Sequence, residues 1–214
     1  MKFDAAAAVL LLIDLQRGFC GADGSSGRRG RDVSVLAPAL AGAARLLAAA
    51  RAARIPVIYT RMAFAPDYAD GGLLTAELRP HLKPNNDLRI DTPDADIMPE
   101  VAPQPGELVI DKQRYSAVLR TGLESWIRGR GRDCVIVGGV TTGMCVESTV
   151  RDLGQRDFRV FVVPEACGDF NPDNHRRALD TFALAFGRVV TATQMIAAMA
   201  AGRGDFPIDS RFDW

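Results

Sequence analysis

Short apolar runs rich in β-branched residues alternate along the chain with longer stretches rich in alanine and leucine. The first run, residues 9–14, reads VLLLID and lacks the polar alternation of a strand with one wet face. Similar runs predict strands at residues 57–61, 107–111, 134–138, 159–163 and 189–190. Apolar spacing of the helical kind predicts helices at residues 35–54, 121–130, 145–155, 174–186 and 193–201. The alternation predicts a single α/β domain with three α/β/α layers around a mostly parallel, six-stranded sheet.

Two segments depart from this pattern. Residues 62–106 contain seven prolines and little periodicity apart from one short helix predicted near residues 73–78. A connection of this length is usually functional or disordered, and we expect it to pass over the carboxyl edge of the sheet. Surface decoration is the alternative. The tail, residues 202–214, is expected either to be loose or to dock on a second subunit, and no repeat or domain boundary interrupts residues 1–214.

Charge and hydropathy exclude some classes of partner. Lysine and arginine together number 26, as do aspartate and glutamate, so no net field favours nucleic acid or an anionic membrane. The cluster of Arg28, Arg29 and Arg31 is interpreted as part of a solvated loop. The apolar residues 5–13 are too few to span a bilayer and end at Asp14, so we expect a buried strand and no membrane association.

The cysteines are widely separated and form no CxxC pair; they are Cys20, Cys134, Cys145 and Cys167. This usage favours reduced thiols and a cytoplasmic location over a disulfide framework or a zinc site. Cys20, Cys134 and Cys167 are interpreted as small buried hydrophobic side chains. Cys145 differs because it follows a turn rich in glycine and threonine at a strand end.

Three polar residues stand at predicted strand ends: Asp14, Lys112 and Cys145. In an open parallel sheet, ligands bind beyond the carboxyl ends of the strands, near the point where the strand order reverses. One sheet edge would therefore gather these residues although they lie far apart in sequence. Taken singly, each has a structural interpretation, as a cap, a solvated side chain or a core residue.

Together the three residues suit nucleophilic catalysis. A cysteine attacks as the thiolate, and its pKa falls at a helix N-terminus or beside a cation. We expect Cys145 to be the nucleophile, Lys112 to supply the positive charge, and Asp14 to move the proton from the thiol to the leaving nitrogen. Backbone N–H groups of the turn at residues 139–145 would then form an oxyanion hole.

Four segments resemble the isochorismatase-like cysteine hydrolases: LLIDLQRGF at 11–19, VIDKQRYSA at 109–117, VGGVTTGMCVESTVRD at 137–152 and VVPEACGDF at 162–170. The resemblance covers most of the chain and weakens in residues 62–106 and in the tail. It implies the isochorismatase-like α/β/α fold. The family includes nicotinamidases, N-carbamoylsarcosine amidases, ureidoacrylate and biuret amidohydrolases, and some isochorismatases.

Carried over residue by residue, the resemblance assigns the family's catalytic triad to Asp14, Lys112 and Cys145. It also implies the family's cis peptide bond, which would fall between Val140 and Thr141. That bond would turn the N–H of Thr141, alongside that of Cys145, toward the oxygen of a tetrahedral intermediate.

The expected substrate and mechanism are narrowed by the pocket residues and by the positions at which this chain differs from members of the family. Phe19 matches an aromatic that lines the family's substrate pocket, and Tyr115 is expected to do likewise. Nicotinamidases hold a metal with an Asp-x-His pair and a further histidine, whereas this chain has only His81 and His175, outside any such pair. We therefore expect no metal and no cofactor. The family's isochorismatases generally lack the nucleophilic cysteine, so Cys145 favours an amide substrate over a vinyl ether.

The resemblance thus predicts hydrolysis of a C–N bond in a small amide, ureido or carbamoyl compound through a thioester, with release of ammonia or an amine. Two alternatives stay open: hydrolysis of a vinyl ether or ester-like bond on the same fold, and a scaffold without catalysis. The substrate itself is not identified. Arg61 and Arg114 are candidate ligands for a carboxylate, although such arginines more often form surface ion pairs.

The resemblance also implies a homodimer or homotetramer. Candidate interface residues are leucines of the segment 62–106 and aromatic residues of the tail, namely Leu73, Leu74, Leu78, Phe206, Phe212 and Trp214.

Overall fold

The structure is a computed structural model that describes residues 1–212. The strands are β1 (Lys2–Asp4), β2 (Ala8–Ile13), β3 (Val57–Met62), β4 (Leu108–Lys112), β5 (Cys134–Val140), β6 (Arg159–Gly168), β7 (Arg188–Val189) and β8 (Arg203–Asp205). The α-helices are α1 (Arg17–Cys20), α2 (Ser25–Arg28), α3 (Ala37–Ala52), α4 (Leu123–Arg128), α5 (Glu147–Gly154), α6 (Pro172–Thr181) and α7 (Ala192–Ala201). Short turns of 3-10 or π-helix lie between them.

Six strands form one parallel sheet in the order β4-β3-β2-β5-β6-β7. The order reverses at β2, because the chain first builds outward through β3 to β4 and then returns to the other side of β2 with β5. Ile13 of β2 pairs in register with Thr60 of β3 and with Gly139 of β5. The carboxyl ends of β2 and β5 thus flank the switch point, where such sheets bind ligands. The predicted α/β/α fold with a parallel, six-stranded sheet is confirmed.

The uninterrupted apolar run of β2 is explained by helices on both faces of the sheet. Val9, Leu11 and Ile13 point into a core layer shared with α4, α5 and α6. Leu10 and Leu12 point into the opposite layer, which contains α3 and α7. Because successive side chains of a strand alternate in direction, a strand covered on both faces needs an apolar residue at every position.

Helix α3 belongs to one of these layers. Together with the turn before it, the helical stretch Val33–Ala52 is long and apolar enough to cross a membrane. In this protein, however, Leu40, Leu46 and Leu47 of the helix are buried in the core layer beside α7. Packing against the sheet accounts for the apolar composition of the helix.

A second, two-stranded sheet was not predicted. Strand β1 pairs antiparallel with β8, so residues from the predicted tail lie against the first residues of the chain. Phe206, which follows β8, packs edge-on against Phe161 of the core, with ring centroids 5.4 Å apart. The start of the tail therefore docks on the domain itself. Trp214 lies outside the described residues.

After Met62, the last residue of β3, the segment up to residue 106 contains no strand and only single turns of helix. The helix predicted near residues 73–78 is one π-turn, Leu74–Leu78. The buried side chain of Gln16 ties the segment down, since its Nε2 donates to the carbonyl oxygens of Met62 (3.0 Å) and Asp94 (2.8 Å). Leu74 is only 5% exposed, because it is already buried within this chain. Its assignment as a candidate interface residue is therefore wrong.

Most differences from the predicted elements lie at their ends. Strand β4 includes Lys112 as its last residue, and β6 extends beyond the predicted residue 163 to Gly168. Helix α4 is shorter than the predicted stretch 121–130. Residues 18–31, which were expected to be loop, contain α2 and most of α1. Each difference arises where contacts with other segments, rather than local periodicity, decide where an element stops.

Candidate active site

Asp14 and Lys112 form a buried ion pair at the carboxyl edge of the sheet. Asp14 directly follows β2 and has a φ of 53°, in the left-handed region that aspartate tolerates better than most residues. The Nζ of Lys112 lies 2.7 Å from Oδ2 of Asp14, and both side chains are 0% exposed. Nζ also donates to the carbonyl oxygen of Arg114 (3.1 Å), and Thr60 Oγ1 donates to Oδ1 of Asp14 (2.7 Å). The pair is held from both sides.

Cys145 completes this cluster of three residues. It is 4% exposed, and the Asp14 carboxylate and the Lys112 ammonium group both lie close enough to its thiol to influence its pKa. Beyond its contact with Lys112, Oδ2 of Asp14 accepts no hydrogen bond of good geometry from residues 1–212. The structure therefore brings together the three residues that the sequence placed at strand ends, with one carboxylate oxygen free to accept a proton.

The protonation states within the cluster follow from burial and charge. Burial raises the pKa of the Cys145 thiol above its ordinary value, and the nearby Lys112 charge only partly opposes this effect. This direction is opposite to the lowered pKa predicted from the sequence, because the loss of water outweighs one ammonium group. Burial also lowers the pKa of Lys112, but Asp14 and Cys145 more than offset this, so its net pKa is raised and the amine stays charged.

A π-helical turn, Thr142–Val146, presents Cys145 immediately before α5. An α-helix was predicted to begin near this cysteine, and the turn replaces its first residues. The peptide bond between Val140 and Thr141 is cis, at the position that the resemblance implies. The N–H of Thr141 donates to no other residue within 1–212, whereas the N–H of Val146 donates to the carbonyl oxygen of Thr141 (3.2 Å).

Residues that follow β6 hold this turn in place. The N–H of Gly143 donates to Oδ2 of Asp169 (2.8 Å), so this group of the predicted oxyanion turn is already occupied. Thr142 Oγ1 lies 2.8 Å from Nδ1 of His175. Burial lowers the pKa of His175, which favours the neutral ring. The contact with His175 thus helps to position the turn that carries Cys145.

Gly139 lets β5 approach β2 closely beside the cluster. Its φ is 143°, and a Cβ atom at this position would lie 2.2 Å from the carbonyl oxygen of Ile13. A larger residue would push the two strands apart where Asp14 leaves β2. The glycine is therefore required by a close backbone approach at the switch point.

A pocket of about 360 Å³ opens at Cys145, a size at the small end for ligand pockets. Thr141 and the two aromatic residues implied by the resemblance, Phe19 and Tyr115, line it with Cys145. The segment 62–106 contributes Met62, Leu74, Arg79, His81, Leu82 and Leu88. That segment therefore forms a wall of the pocket over the sheet edge, as predicted, and is not mere decoration.

The two arginines considered as carboxylate ligands lie outside this pocket lining. The Nε of Arg61 is 2.7 Å from Oδ1 of Asp111, in a partly exposed ion pair. The Nη1 of Arg114 donates to the carbonyl oxygen of Gln113 (2.7 Å). Both arginines have local partners, in agreement with the structural interpretation of such residues.

Four other basic residues line the pocket, and sequence reasoning missed them: Arg29, Arg31, Arg79 and His81. Arg29 and Arg31 are exposed and lie outside any helix, as the interpretation of a solvated loop predicts, but they also line the pocket. Helix α2 and the turn at Gly30, which has a φ of 76°, carry this segment back over the pocket. Arg79 and His81 could have been considered because they lie in the long segment 62–106, which was expected to cover the sheet edge.

The remaining cysteines and histidines form no second centre. Within residues 1–212, no group of three or more His, Cys, Asp or Glu side chains is arranged to hold a metal ion. Cys134 and Cys167 are buried and Cys20 is partly buried; all are free thiols. Burial raises the pKa of each of these three thiols to about 12, so they are poor nucleophiles at neutral pH.

Comparison with known proteins places this fold and site in a family. Residues 8–194 match the isochorismatase domain. The chain therefore belongs to the isochorismatase family.

Several relatives carry more specific names. The chain is 33% identical to "Ureidoacrylate amidohydrolase RutB" of Methylorubrum extorquens, over 94% of this chain and 86% of that protein. It is 31% identical to the protein of the same name in Yersinia enterocolitica, over 83% of this chain and 82% of that protein.

Solved structures agree with the fold. A cysteine hydrolase from Pseudomonas syringae pv. phaseolicola superposes with a TM-score of 0.85 at 28% identity, covering 94% of this chain and 95% of that chain. An isochorismatase family protein from Desulfovibrio vulgaris superposes with a TM-score of 0.78 at 26% identity, covering 91% and 98% of the two chains.

Proposed function

We propose that this protein hydrolyses a C–N bond of a small ureido, carbamoyl or amide compound through a thioester on Cys145. The observation that carries the proposal is the buried ion pair of Asp14 and Lys112 beside Cys145, which itself lines one small pocket. The three residues come from three separate strand ends, and no packing requirement accounts for a buried ion pair against a thiol.

The coarser activity rests on membership of the family and on its relatives. The chain is a hydrolase that acts on C–N bonds other than peptide bonds. The relatives named ureidoacrylate amidohydrolase align over most of their own length, which supports a ureido compound as the first substrate to test. The nucleophile, the thioester and the choice of substrate are the parts that we add.

In the first step, Cys145 Sγ attacks the carbonyl carbon of the substrate. Because burial keeps the thiol protonated, its proton must leave as the S–C bond forms, and the neighbouring Asp14 carboxylate, whose Oδ2 accepts no hydrogen bond from residues 1–212 beyond its contact with Lys112, acts as the base. The carbonyl π electrons move to oxygen, which accepts hydrogen bonds from the N–H groups of Thr141 and Cys145. Lys112 stabilises the negative charge that passes from the carboxylate to the sulfur.

The tetrahedral intermediate then collapses. The C–N bond breaks, Asp14 returns its proton to the nitrogen, and ammonia or an amine leaves. In the second step water attacks the thioester carbon while Asp14 accepts one of its protons. The C–S bond breaks, the sulfur regains the proton from Asp14, and the carboxylic acid or carbamate is released.

Mass spectrometry of the intact protein tests this proposal. With a ureido substrate and rapid acid quench, we expect a mass increase equal to the substrate's acyl part at Cys145, and none in Cys145→Ala. Turnover that persists in Cys145→Ala, without any adduct in the parent protein, would refute the thioester route. Insensitivity of that turnover to iodoacetamide would favour vinyl-ether or ester-like hydrolysis instead.

Location and assembly remain predictions. A cytoplasmic location and a homodimer or homotetramer are still expected, and a small amide or ureido molecule is the expected partner. Leu73 and Leu78 are 56% and 63% exposed in the single chain, which leaves them available for contact with a second copy. Sedimentation at several protein concentrations measures the assembly state, and a monomer at all of them would contradict the expectation.

A further inference from the structure

The pocket that contains Cys145 is strongly basic on one part of its lining. Arg29, Arg31, Arg79 and His81, which we call the basic mouth, all line it. Asp169 is the one acidic residue in the same lining. Its oxygens already accept hydrogen bonds from the N–H groups of Gly143 (2.8 Å) and Asn171 (3.1 Å). Both carboxylate oxygens of Asp169 thus accept hydrogen bonds from the backbone of neighbouring turns.

The arginines of the basic mouth differ in their partners. Arg29 is fixed, since its Nη1 lies 2.6 Å from Oδ2 of Asp87, a carboxylate that is itself buried. Arg31 stacks over the ring of Phe170 at 4.7 Å and has no ion pair within residues 1–212. The guanidinium of Arg79 has neither an ion pair nor a hydrogen bond to the described part of the chain. The guanidinium groups of Arg31 and Arg79 therefore line the pocket without a charge-assisted hydrogen bond to residues 1–212, so both can bind a ligand.

His81 adds an unpaired polar atom. Its Nε2 is buried and has no hydrogen-bond partner within residues 1–212. Burial and the charge of Arg29 lower the pKa of His81, with smaller contributions in the same direction from Arg79 and Arg31. The ring is therefore neutral near pH 7, and one tautomer can donate a hydrogen bond from Nε2.

These observations point to a ligand that is small and anionic. Arg29 is neutralised by Asp87, so Arg31 and Arg79 against Asp169 leave the lining with one uncompensated positive charge. A single carboxylate balances that charge. Arginine binds carboxylates through two parallel N–H···O bonds, and a buried, unpaired histidine nitrogen gains most from an acceptor in the same place.

We propose that the basic mouth binds a carboxylate of the substrate through Arg31 and Arg79, assisted by His81, so that the enzyme selects ureido acids over neutral ureas and amides. This inference rests on the proposed function, because it assigns the substrate class of the same pocket. Arg29 acts as a positioning residue that is anchored by Asp87.

The test compares two matched compounds, 3-ureidopropanoate and propylurea, which share the ureido group and chain length and differ in the carboxylate. For the parent enzyme we expect kcat/KM for 3-ureidopropanoate to exceed that for propylurea by at least about 100-fold, the lower end of the factor for losing two charge-assisted hydrogen bonds. In the double variant Arg31→Gln with Arg79→Gln, the KM for 3-ureidopropanoate should rise by a similar factor. Its kcat/KM for propylurea should stay within about threefold of the parent value.

Arg45→Gln is the matched control, since Arg45 is an exposed arginine on α3 that does not line the pocket. It should leave both compounds unaffected. Equal rates for both compounds in the parent enzyme, or an equal loss for both in the double variant, would overturn the inference while leaving C–N hydrolysis intact.

A binding measurement separates the two proposals. Calorimetry on the Cys145→Ala protein should detect 3-ureidopropanoate but not propylurea, and binding should disappear when Arg31 and Arg79 are also replaced. If binding follows this pattern but the parent enzyme releases no ammonia, the carboxylate site stands and the proposed reaction fails. If neither compound binds Cys145→Ala at millimolar concentration, the carboxylate site is refuted.

Discussion

The buried cluster of Asp14, Lys112 and Cys145 and the basic mouth serve one pocket but are built in different ways. The cluster stands at the ends of regular parallel strands, and its side chains are 0%, 0% and 4% exposed. The basic mouth comes from irregular segments, residues 29–31 and 79–81, and its arginines are exposed. The cluster is shielded from solvent and positioned by the sheet, whereas the basic mouth is exposed to solvent and positioned by loops.

The two regions therefore meet different requirements, proton transfer in the cluster and substrate recognition in the basic mouth. A proton that passes between sulfur and carboxylate needs atoms in fixed positions, and a parallel sheet provides them. Recognition of a charged end of the substrate tolerates more variation, and loops can change without loss of the core. We therefore expect substitutions in the cluster to alter kcat and stability, and substitutions in the mouth to alter mainly KM.

The largest effect is expected at the nucleophile. Cys145→Ala should lower turnover by at least about 10⁴-fold, because without the thiol only the binding and oxyanion contributions remain. Ammonia release under saturating substrate measures this loss. Cys20→Ala is the matched control, since Cys20 is a free thiol of raised pKa, and it should keep nearly full activity. Comparable losses of turnover in the two variants would contradict the view that Cys145 is catalytic and Cys20 structural.

Breaking the buried ion pair is expected to reduce both stability and activity. Asp14→Asn and Lys112→Met should each cost about 3–5 kcal/mol of unfolding free energy, because each leaves one buried group without its partner. The double variant should cost less than the sum of the two. Urea unfolding measures the free energies, and each single variant should also lose several powers of ten in turnover.

Arg61→Met provides the comparison for the ion pair. Its bond to Asp111 lies on the same sheet edge, but the side chains are 24% and 30% exposed, so the expected cost is below about 1 kcal/mol. A buried pair no more sensitive than this partly exposed one would contradict the view of the cluster as a dry site.

A smaller effect is expected where the mouth is anchored. Asp87 is 1% exposed and binds both Arg28 (3.1 Å) and Arg29 (2.6 Å). Asp87→Asn removes the charge that holds these guanidinium groups and should raise KM several-fold, with kcat within about twofold of the parent value. Asp91→Asn, which breaks an exposed pair with Arg89, should leave both constants unchanged. Steady-state kinetics distinguishes the two, and a loss confined to kcat would place Asp87 with the cluster instead.

The smallest effect concerns pH and the core thiols. The pKa of Cys134 is raised to about 12 in the folded protein, against roughly 8.5 when unfolded. The folded state thus holds this proton longer, so the stabilising contribution is full below about pH 8.5 and declines above it, by up to about 1.4 kcal/mol per pH unit. The difference in unfolding free energy between the parent protein and Cys134→Ala should shrink from pH 7 to pH 10. A constant difference would show that the thiol ionises alike in both states.

Much of the cluster could be predicted from local sequence alone. Apolar runs that end in Asp14 and near Lys112, and a glycine-rich turn before Cys145, mark strand ends, and parallel strands bring their ends to one edge. The four segments similar to the family added the cis peptide and the aromatic residues of the pocket. Boundaries were less certain, as at β6, because the pairing of Gly168 with Val140 depends on a distant strand.

The sequence by itself determined the layered α/β fold, the three strand-end residues and the family, because hydrophobic periodicity and short motifs are local properties. Only the tertiary structure decided that Arg31 and Arg79 face the pocket, that β1 and β8 pair, and that burial raises the pKa of Cys145. Each of these depends on which groups from remote segments surround a residue and how much water they exclude. No local pattern records that information.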